Sequence, residues 1–207
     1  MTLVKICGIT NLPDAQAAVD AGADLLGFNF YERSPRYVSP AAARKIIDQL
    51  PNHVLSVGVF VNESLPTIRS IASTSKIDEL QLHGDESPDY CNQLDDHKII
   101  KAFRVGNMFD PQQTLEFAVE SIMLDAGHPE LRGGTGTVFD WSVAVKVSEL
   151  GKQLFLAGGL GVENVAVAIK TVRPFAVDAC SALEVQPGKK DQRKVAEFVA
   201  AVRNVKP

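Results

Sequence analysis

A cysteine and an aspartate end two different apolar runs of this sequence, and together they could carry out acid-base chemistry. Cys7 ends the run 3–7, just before Gly8, and Asp125 ends the run 121–125. A thiol acts as a general base when nearby positive charge lowers its pKa, and a carboxyl acts as a general acid when burial raises its pKa. The alternative for each residue is structural: Cys7 as a small buried side chain and Asp125 as a loop cap.

Two later segments have the composition of an anion site. Gly158 and Gly159 follow an apolar run and precede a helical pattern, so backbone N–H groups could approach an anion at the positive end of a helix dipole. Ser181 and Ala182 lie in the turn after the next apolar run. A glycine pair alone usually marks a turn, but the two segments in this order predict a phosphate site. Neither has the Walker pattern, so a nucleotide is not expected.

Short apolar runs and amphipathic segments alternate along the chain. The predicted strands are 3–7, 25–29, 55–61, 79–82, 99–103, 121–125, 154–157 and 176–179. The predicted helices, most of them preceded by Pro, Ser or Asp, are 12–21, 41–50, 65–72, 139–147, 162–169 and 191–202. Strands that are apolar throughout and alternate with helices indicate a parallel sheet covered on both faces.

Eight predicted strands in 207 residues give about 26 residues per strand and helix, which fits the compact end of the (β/α)8 barrel range. An open doubly wound sheet is the main alternative. Its usual Gly-rich first turn is missing here, since the first turn reads Cys-Gly-Ile-Thr. We therefore predict an α/β fold, a TIM barrel of the phosphate-binding type, formed by residues 1–207 as a single domain. In such a barrel, reactive residues lie after the strand carboxyl ends.

The composition excludes several classes of function. The chain has 45% hydrophobic and 22% charged residues and a formal net charge of -4, with its basic residues scattered, so no nucleic-acid partner is expected. No apolar run approaches the length of a membrane span, and the N-terminus does not resemble a signal peptide. Three cysteines, Cys7, Cys91 and Cys180, form neither a disulfide framework nor a zinc pattern. A cytoplasmic location is the simplest expectation.

Eight segments, in order and with their spacing, resemble the phosphoribosylanthranilate isomerase family of tryptophan biosynthesis. They are KICGIT, GFNFYERSPRYVS, SVGVFVN, LQLHGDE, KAFRV, MLDAGHPELRGGTGTVFDW, FLAGGLGVENV and VDACSALEVQPGKKD. The resemblance covers residues 5–191, almost the whole chain.

This resemblance implies a barrel enzyme that converts N-(5-phosphoribosyl)anthranilate into 1-(2-carboxyphenylamino)-1-deoxyribulose 5-phosphate by an Amadori rearrangement. It implies that Asp125 protonates the ring oxygen of the sugar, so that the ring opens to a Schiff base. Cys7 would then remove the proton from C2. The resemblance implies no metal and no organic cofactor, because the substrate nitrogen accepts the electrons. The only expected ligand is this small-molecule substrate.

The resemblance also implies supporting roles. Arg36 would bind the anthranilate carboxylate, for which a planar guanidinium is suited, while its neighbour Arg33 is expected to be solvated. Asp178 is expected to face the sugar, and His83 to be a wall residue of the site and not the base. The glycine-rich segment 133–136 resembles a loop that closes over the substrate.

One segment departs from the family pattern. The family usually reads Ser-Ser-Gly after the last strand, where this chain reads Cys180, Ser181 and Ala182. A backbone N–H survives the change from Gly to Ala if Ala182 avoids a positive φ, and the lost hydroxyl removes one hydrogen bond, about 1 kcal/mol. We expect altered phosphate affinity, retained activity, and a packing role for Cys180.

Two alternative functions remain open from the sequence alone. Another phosphosugar barrel is one: the histidine-pathway aminoaldose isomerase would have an aspartate at the position of Cys7, and a typical epimerase would have grouped metal-binding histidines. The four histidines here are scattered, at positions 53, 83, 97 and 128. A catalytically silent phosphate-binding module is the other, and it would be expected to lack Cys7 or Asp125. The oligomeric state is expected to be monomer or homodimer.

Overall fold

Eight parallel strands form a closed barrel, in which each strand pairs with the next and β8 pairs with β1. The computed structural model describes residues 1–106, 108–126 and 140–205. The barrel strands are β1 Leu3–Cys7, β2 Leu25–Asn29, β3 Leu55–Phe60, β4 Glu79–Leu82, β5 Lys98–Val105, β6 Ser121–Ala126, β7 Gln153–Leu156 and β8 Ala176–Ala179. This architecture confirms the predicted (β/α)8 barrel.

Helices connect most of the strands. They are α1 Leu12–Ala21, α2 Pro40–Ile47, α3 Leu65–Ser75, α4 Pro88–Asn92, α5 Trp141–Ser148, α6 Val165–Val172 and α7 Gln192–Arg203. A 3-10 helix, Pro111–Glu116, precedes β6, and a second one, Ser181–Leu183, follows β8. A two-stranded hairpin, β9 Glu184–Gln186 and β10 Lys189–Lys190, comes before α7. Among the residues described, no helix is long and apolar enough to cross a membrane.

Local sequence signals start several of these helices. The side chain of Asn11 accepts a hydrogen bond from the backbone N–H of Asp14 at the start of α1, and Ser39, Ser64 and Ser87 cap α2, α3 and α4 in the same way. Each of these four helices also has a proline in its first turn. Proline is favoured there because its missing N–H has no acceptor within the helix.

The apolar core has two parts, one on each side of the sheet. The larger part lies between the strands and the helices. The smaller part fills the barrel interior and consists of Leu25, Val57, Ile100, Ala102, Met123, Phe155, Ala157 and Ala176. Buried polar side chains, including Lys5, Gln81, Asp125 and Asp178, lie among the same strands. The interior is therefore a packed layer of side chains and not a pore, as in other barrels of this type.

The closure between β1 and β8 brings distant parts of the chain together. Lys5 pairs in register with Asp178, and Ile6 with Ala179. On the other side of β1, Gly27 faces the same side chains: a Cβ there would lie 2.8 Å from Cys7 Sγ and 3.1 Å from Lys5 Nζ. The missing side chain at Gly27 leaves the space that these two groups occupy.

The structure reproduces four of the predicted strands without change and shifts the ends of the others by one or two residues. Among the helices, the ends of α2 and α3 shift by three residues, and α6 shifts by three at both ends, since it begins at Val165 and not at 162. The Asn164 side chain accepts from Gly161 N and donates to Gly159 O, so these residues form a turn before the helix. The predicted helix start at 139 and the segment 133–136 lie outside the described residues.

Candidate active site

One cavity of about 440 Å³ opens at the carboxyl ends of the barrel strands. All nine residues selected from the sequence line it: Cys7, Arg36, His83, Asp125, Gly158, Gly159, Asp178, Ser181 and Ala182. They come from β1, β6, β8 and the segments that follow β2, β4, β7 and β8. Their roles remain predictions, but the barrel brings them to one place. Arg33, which was expected to be a solvated loop residue, is exposed and also lines the cavity.

Cys7 is buried between a second thiol and two lysines. The pKa of Cys7 lies well below its ordinary value, because Cys180 makes a hydrogen bond to it and because Lys5 and Lys190 add positive charge. Burial acts in the opposite direction, since desolvation disfavours a thiolate. The same contact with Cys7, together with burial, raises the pKa of Cys180 well above its ordinary value. The surroundings therefore favour the thiolate at Cys7 and the protonated thiol at Cys180.

Lys5 is fully buried and forms an ion pair with Asp178, with 2.8 Å between Nζ and Oδ1. Burial acts to lower the pKa of Lys5, but the negative charges of Asp178 and Cys7 outweigh it and raise this pKa. Burial raises the pKa of Asp178 to about 6, against the effect of Lys5. One buried cation is thus shared by two anionic groups, the Cys7 thiolate and the Asp178 carboxylate.

Asp125 lies at the end of a short polar chain. Gln81 Nε2 donates to His83 Nδ1 at 2.8 Å, so a neutral His83 ring carries its proton on Nε2. His83 Nε2 lies 3.2 Å from Asp125 Oδ2. Asp125 is 5% exposed. The His83 ring therefore lies against the Asp125 carboxyl at the cavity wall.

Arg36 is held by a buried carboxylate. Glu184 accepts two bonds in a forked arrangement, from Arg36 Nε at 3.0 Å and from Nη2 at 2.8 Å. Glu184 also accepts from Lys190 Nζ at 3.0 Å, and the same Nζ lies 3.8 Å from Cys180 Sγ. The hairpin of β9 and β10 supplies both Glu184 and Lys190, and Asp14 of α1 fixes this hairpin by accepting from Lys190 N at 2.8 Å. Residues of the β9–β10 hairpin and of α1 thus together orient the Arg36 guanidinium.

Gly158 and Gly159 both have a positive φ, at 83° and 66°. A Cβ on Gly158 would lie 2.3 Å from Ala126 N, so only glycine fits this turn. Within the described part of the chain, no acceptor bonds to the N–H groups of these two residues. They can therefore donate to a ligand in the cavity.

Ser181 and Ala182 begin the short 3-10 helix that follows β8. This segment and the turn after β7 both line the cavity. The first N–H groups of a helix have no acceptor within it. Ala182 does not have a positive φ, since the described non-glycine residues with positive φ are Asn62, Lys76 and Arg173. Alanine therefore fits at 182 without strain, and its backbone N–H is kept.

Residues 4–201 match the family model of N-(5'-phosphoribosyl)anthranilate (PRA) isomerase. The match covers nearly the whole chain. The protein belongs to the N-(5'-phosphoribosyl)anthranilate isomerase family.

Individual members of the family are similar to this chain over nearly their full length. The N-(5'-phosphoribosyl)anthranilate isomerase of Trichlorobacter lovleyi is 45% identical over 206 residues, which is 100% of this chain and 98% of the relative. The crystal structure of the Thermus thermophilus phosphoribosyl anthranilate isomerase superimposes with a TM-score of 0.92 at 31% identity, covering 99% of this chain and all of the other. A second structure, of a phosphoribosyl anthranilate isomerase in complex with reduced 1-(o-carboxyphenylamino)-1-deoxyribulose 5-phosphate, gives a TM-score of 0.87 at 42% identity and covers 98% of this chain and 99% of the other.

Sequence reasoning missed four residues that surround Cys7 and Arg36. Lys5, Lys190 and Glu184 were given no role, and Cys180 was expected only to pack. A signal for Lys5 exists in the sequence, because residues 5 and 7 of one strand point to the same face. No comparable signal points to Lys190 or Glu184, whose positions depend on the hairpin after β8.

Proposed function

We propose that this protein catalyses the Amadori rearrangement of N-(5'-phosphoribosyl)anthranilate to 1-(2-carboxyphenylamino)-1-deoxyribulose 5-phosphate in tryptophan biosynthesis. The observation that carries the proposal is the Cys7 thiolate between Lys5 and Lys190, in the same cavity as Asp125. Full-length similarity to isomerases of this name supports the substrate.

Asp125 is the proposed general acid. Its proton goes to the ring oxygen of the sugar while the bond between that oxygen and C1 breaks, and the nitrogen lone pair forms the Schiff base. Asp125 becomes a carboxylate, next to a His83 that can donate from Nε2. His83 itself is proposed as a wall residue that positions this carboxyl.

Cys7 is the proposed general base. Its thiolate takes the proton from C2, and the electron pair of that bond moves toward the iminium nitrogen, which gives an enolamine. The enolamine then tautomerises to the ketone product. Cys180, Lys5 and Lys190 lower the Cys7 pKa and so favour the thiolate that this step needs. β1 and β6 are separated by β7 and β8 in the barrel, so the acid and the base approach the sugar from different sides.

The two charged ends of the substrate fit the two ends of the cavity. The N–H groups of Gly158, Gly159, Ser181 and Ala182 are proposed to bind the phosphate. Arg36 is proposed to bind the anthranilate carboxylate. A guanidinium has five N–H donors, and the bonds to Glu184 use Nε and Nη2, which leaves the Nη1 side for a ligand.

The assay is the loss of anthranilate-type fluorescence with freshly prepared phosphoribosylanthranilate, measured against the uncatalysed rate. We expect Cys7→Ser and Asp125→Asn each to lower kcat by about 10²-fold to 10⁴-fold, because each removes a group that transfers a proton. His83→Gln is the matched control on the same wall, and we expect a smaller decrease. If the wild-type protein gave no rate above background, the proposed function would be wrong. If His83→Gln lost as much as Asp125→Asn, the acid would have to be reassigned.

The cellular location and the oligomeric state of the enzyme are also proposed. The three cysteines are free, which fits a reducing cytoplasm. We propose that residues 1–207 act as one domain, as a monomer or a homodimer. Size-exclusion chromatography with light scattering distinguishes these two states.

A further inference from the structure

Cys7 and Cys180 are neighbours at the ends of adjacent strands. β1 and β8 are parallel and pair Lys5 with Asp178 and Ile6 with Ala179, so the next positions in this register are 7 and 180. Paired positions of parallel strands point to the same face and lie about 4.8 Å apart. Disulfides join Cα atoms roughly 4.4–6.8 Å apart. Cys180 follows the last paired residue of β8, so this register places its backbone beside that of Cys7, at about the spacing that a disulfide bridges.

The two thiols also face each other. Both line the cavity, and each lies near enough to shift the pKa of the other. Gly8, the residue after Cys7, lies close to the second thiol, since a Cβ there would lie 3.0 Å from Cys180 Sγ. The segment that carries Cys7 therefore lies directly beside Cys180.

The charges around the pair give the two sulfurs different reactivity. Lys5 and Lys190 favour a thiolate at Cys7, which is the nucleophilic form of cysteine. Cys180 keeps its proton. An attacking thiolate beside a resolving thiol, both reached through an open cavity, is the arrangement of redox-sensitive cysteine pairs.

We propose that Cys7 and Cys180 form a reversible disulfide when a hydroperoxide enters the cavity, and that this modification switches the enzyme off. This inference goes beyond the proposed function. It concerns a property of this chain, because the family usually has serine at position 180, and a hydroxyl cannot form the second half of a disulfide.

The reaction has two steps that balance. The Cys7 thiolate attacks the terminal oxygen of the hydroperoxide, the O–O bond breaks, and the alkoxide or hydroxide that leaves takes a proton from water. Cys7 is then a sulfenic acid. The Cys180 sulfur attacks the Cys7 sulfur, the S–S bond forms, and the departing hydroxide takes the Cys180 proton to leave as water. The hydroperoxide is reduced by two electrons and the two thiols are oxidised by two.

The test is treatment of the reduced protein with hydrogen peroxide, followed by measurement of activity, of free thiols after denaturation, and of peptide masses under non-reducing conditions. We expect activity to fall about 100-fold or more, since the general base is blocked, and to return with dithiothreitol. We expect a linked pair of peptides that contain Cys7 and Cys180, with Cys91 remaining as the free thiol. The linked peptides are detected independently of any assay, so the result separates this proposal from the proposed function.

Two variants complete the experiment, each compared with its own untreated sample. Cys180→Ser removes the resolving thiol, so Cys7 is expected to pass to sulfinic acid, and dithiothreitol no longer restores activity. Cys91→Ala is the matched control: Cys91 is buried on α4 and lines a separate cavity with Leu3 and Phe175. It is expected to behave like the wild type. Absence of the linked peptides from oxidised wild type, or full recovery of Cys180→Ser, would overturn the proposal.

Discussion

At the scale of single residues, the pKa of Cys7 depends on the charged groups around it. Lys5 and Lys190 approach the thiolate from different strands, while Asp178 competes with it for the charge of Lys5. Removal of the cation should therefore raise the Cys7 pKa, and removal of the competing anion should lower it.

This reasoning predicts opposite shifts in two variants. In Lys5→Met with Asp178→Asn, which avoids leaving a buried carboxylate unpaired, we expect the Cys7 pKa to rise by about one unit or more relative to Asp178→Asn alone. Asp178→Asn alone should lower it relative to wild type. The measurement is the rate of Cys7 alkylation by iodoacetamide as a function of pH, which reports the thiolate directly. Identical pH profiles in all three proteins would show that Lys5 does not control the thiolate.

Position in the sequence explains which site residues could be predicted. Cys7, Asp125, Gly158 and Gly159 each follow a recognisable strand, and parallel strands end on the same side of a barrel. The partners of Cys7 could not be predicted in the same way. Lys5 meets Asp178 at a separation of 173 positions, and this contact exists only once β8 closes on β1.

At the scale of elements, the turn after β7 combines the proposed phosphate site with a backbone conformation that only glycine adopts easily. Gly158 has a φ of 83° and lies against the backbone of Ala126. Gly151, in the turn before β7, has nearly the same φ of 79°, but a Cβ added there would have no atom within 4 Å. An alanine at position 151 would therefore have only the strain of a positive φ, whereas an alanine at position 158 would have this strain and a steric collision as well.

Gly158→Ala is expected to weaken phosphate binding, because the added methyl group must displace Ala126 or the turn itself. We expect KM to rise by about tenfold or more, and the free energy of unfolding to fall by about 1–3 kcal/mol. Gly151→Ala, with the same strain and no collision, should leave KM unchanged and lose less stability. Steady-state kinetics and urea denaturation of both variants measure this difference. An equal KM in the two variants would argue against a phosphate site at this turn.

The elements that the sequence did not predict are the short ones. Helix α4 has five residues, and the strands of the β9–β10 hairpin have three and two. Segments of this length contain less than two turns of a helix or one full alternation of a strand, so periodicity cannot identify them. The hairpin carries Glu184 and Lys190, so missing this element also meant missing two residues of the site.

At the scale of the whole molecule, the barrel interior acts as one structural unit. Phe155 on β7 is 1% exposed, and its ring lies 5.7 Å from that of Phe175. It contributes to the layer that separates the cavity from the amino-terminal end of the barrel. Loss of this ring should weaken contacts with several strands at once.

We expect Phe155→Ala to reduce the free energy of unfolding by about 3–5 kcal/mol, because it leaves a cavity in a packed interior. Val167→Ala, at a position on α6 that is 57% exposed, is the control and should change it by less than about 0.5 kcal/mol. Guanidinium denaturation, followed by circular dichroism and by the fluorescence of the single Trp141, measures both. Equal stability of the two variants would contradict a packed barrel interior.

The pairing of Lys5 with Asp178 also constrains how the molecule is made in the cell. A ribosome synthesises β1 first and β8 much later. Lys5, which is fully buried in the folded protein, therefore has no Asp178 to pair with during most of translation. Until Asp178 is synthesised, the Lys5 ammonium group must remain hydrated, and β1 cannot take its buried position in the barrel. Nascent chains that lack the last strand are therefore expected to be open and inactive, and catalytic competence should arise only as synthesis ends.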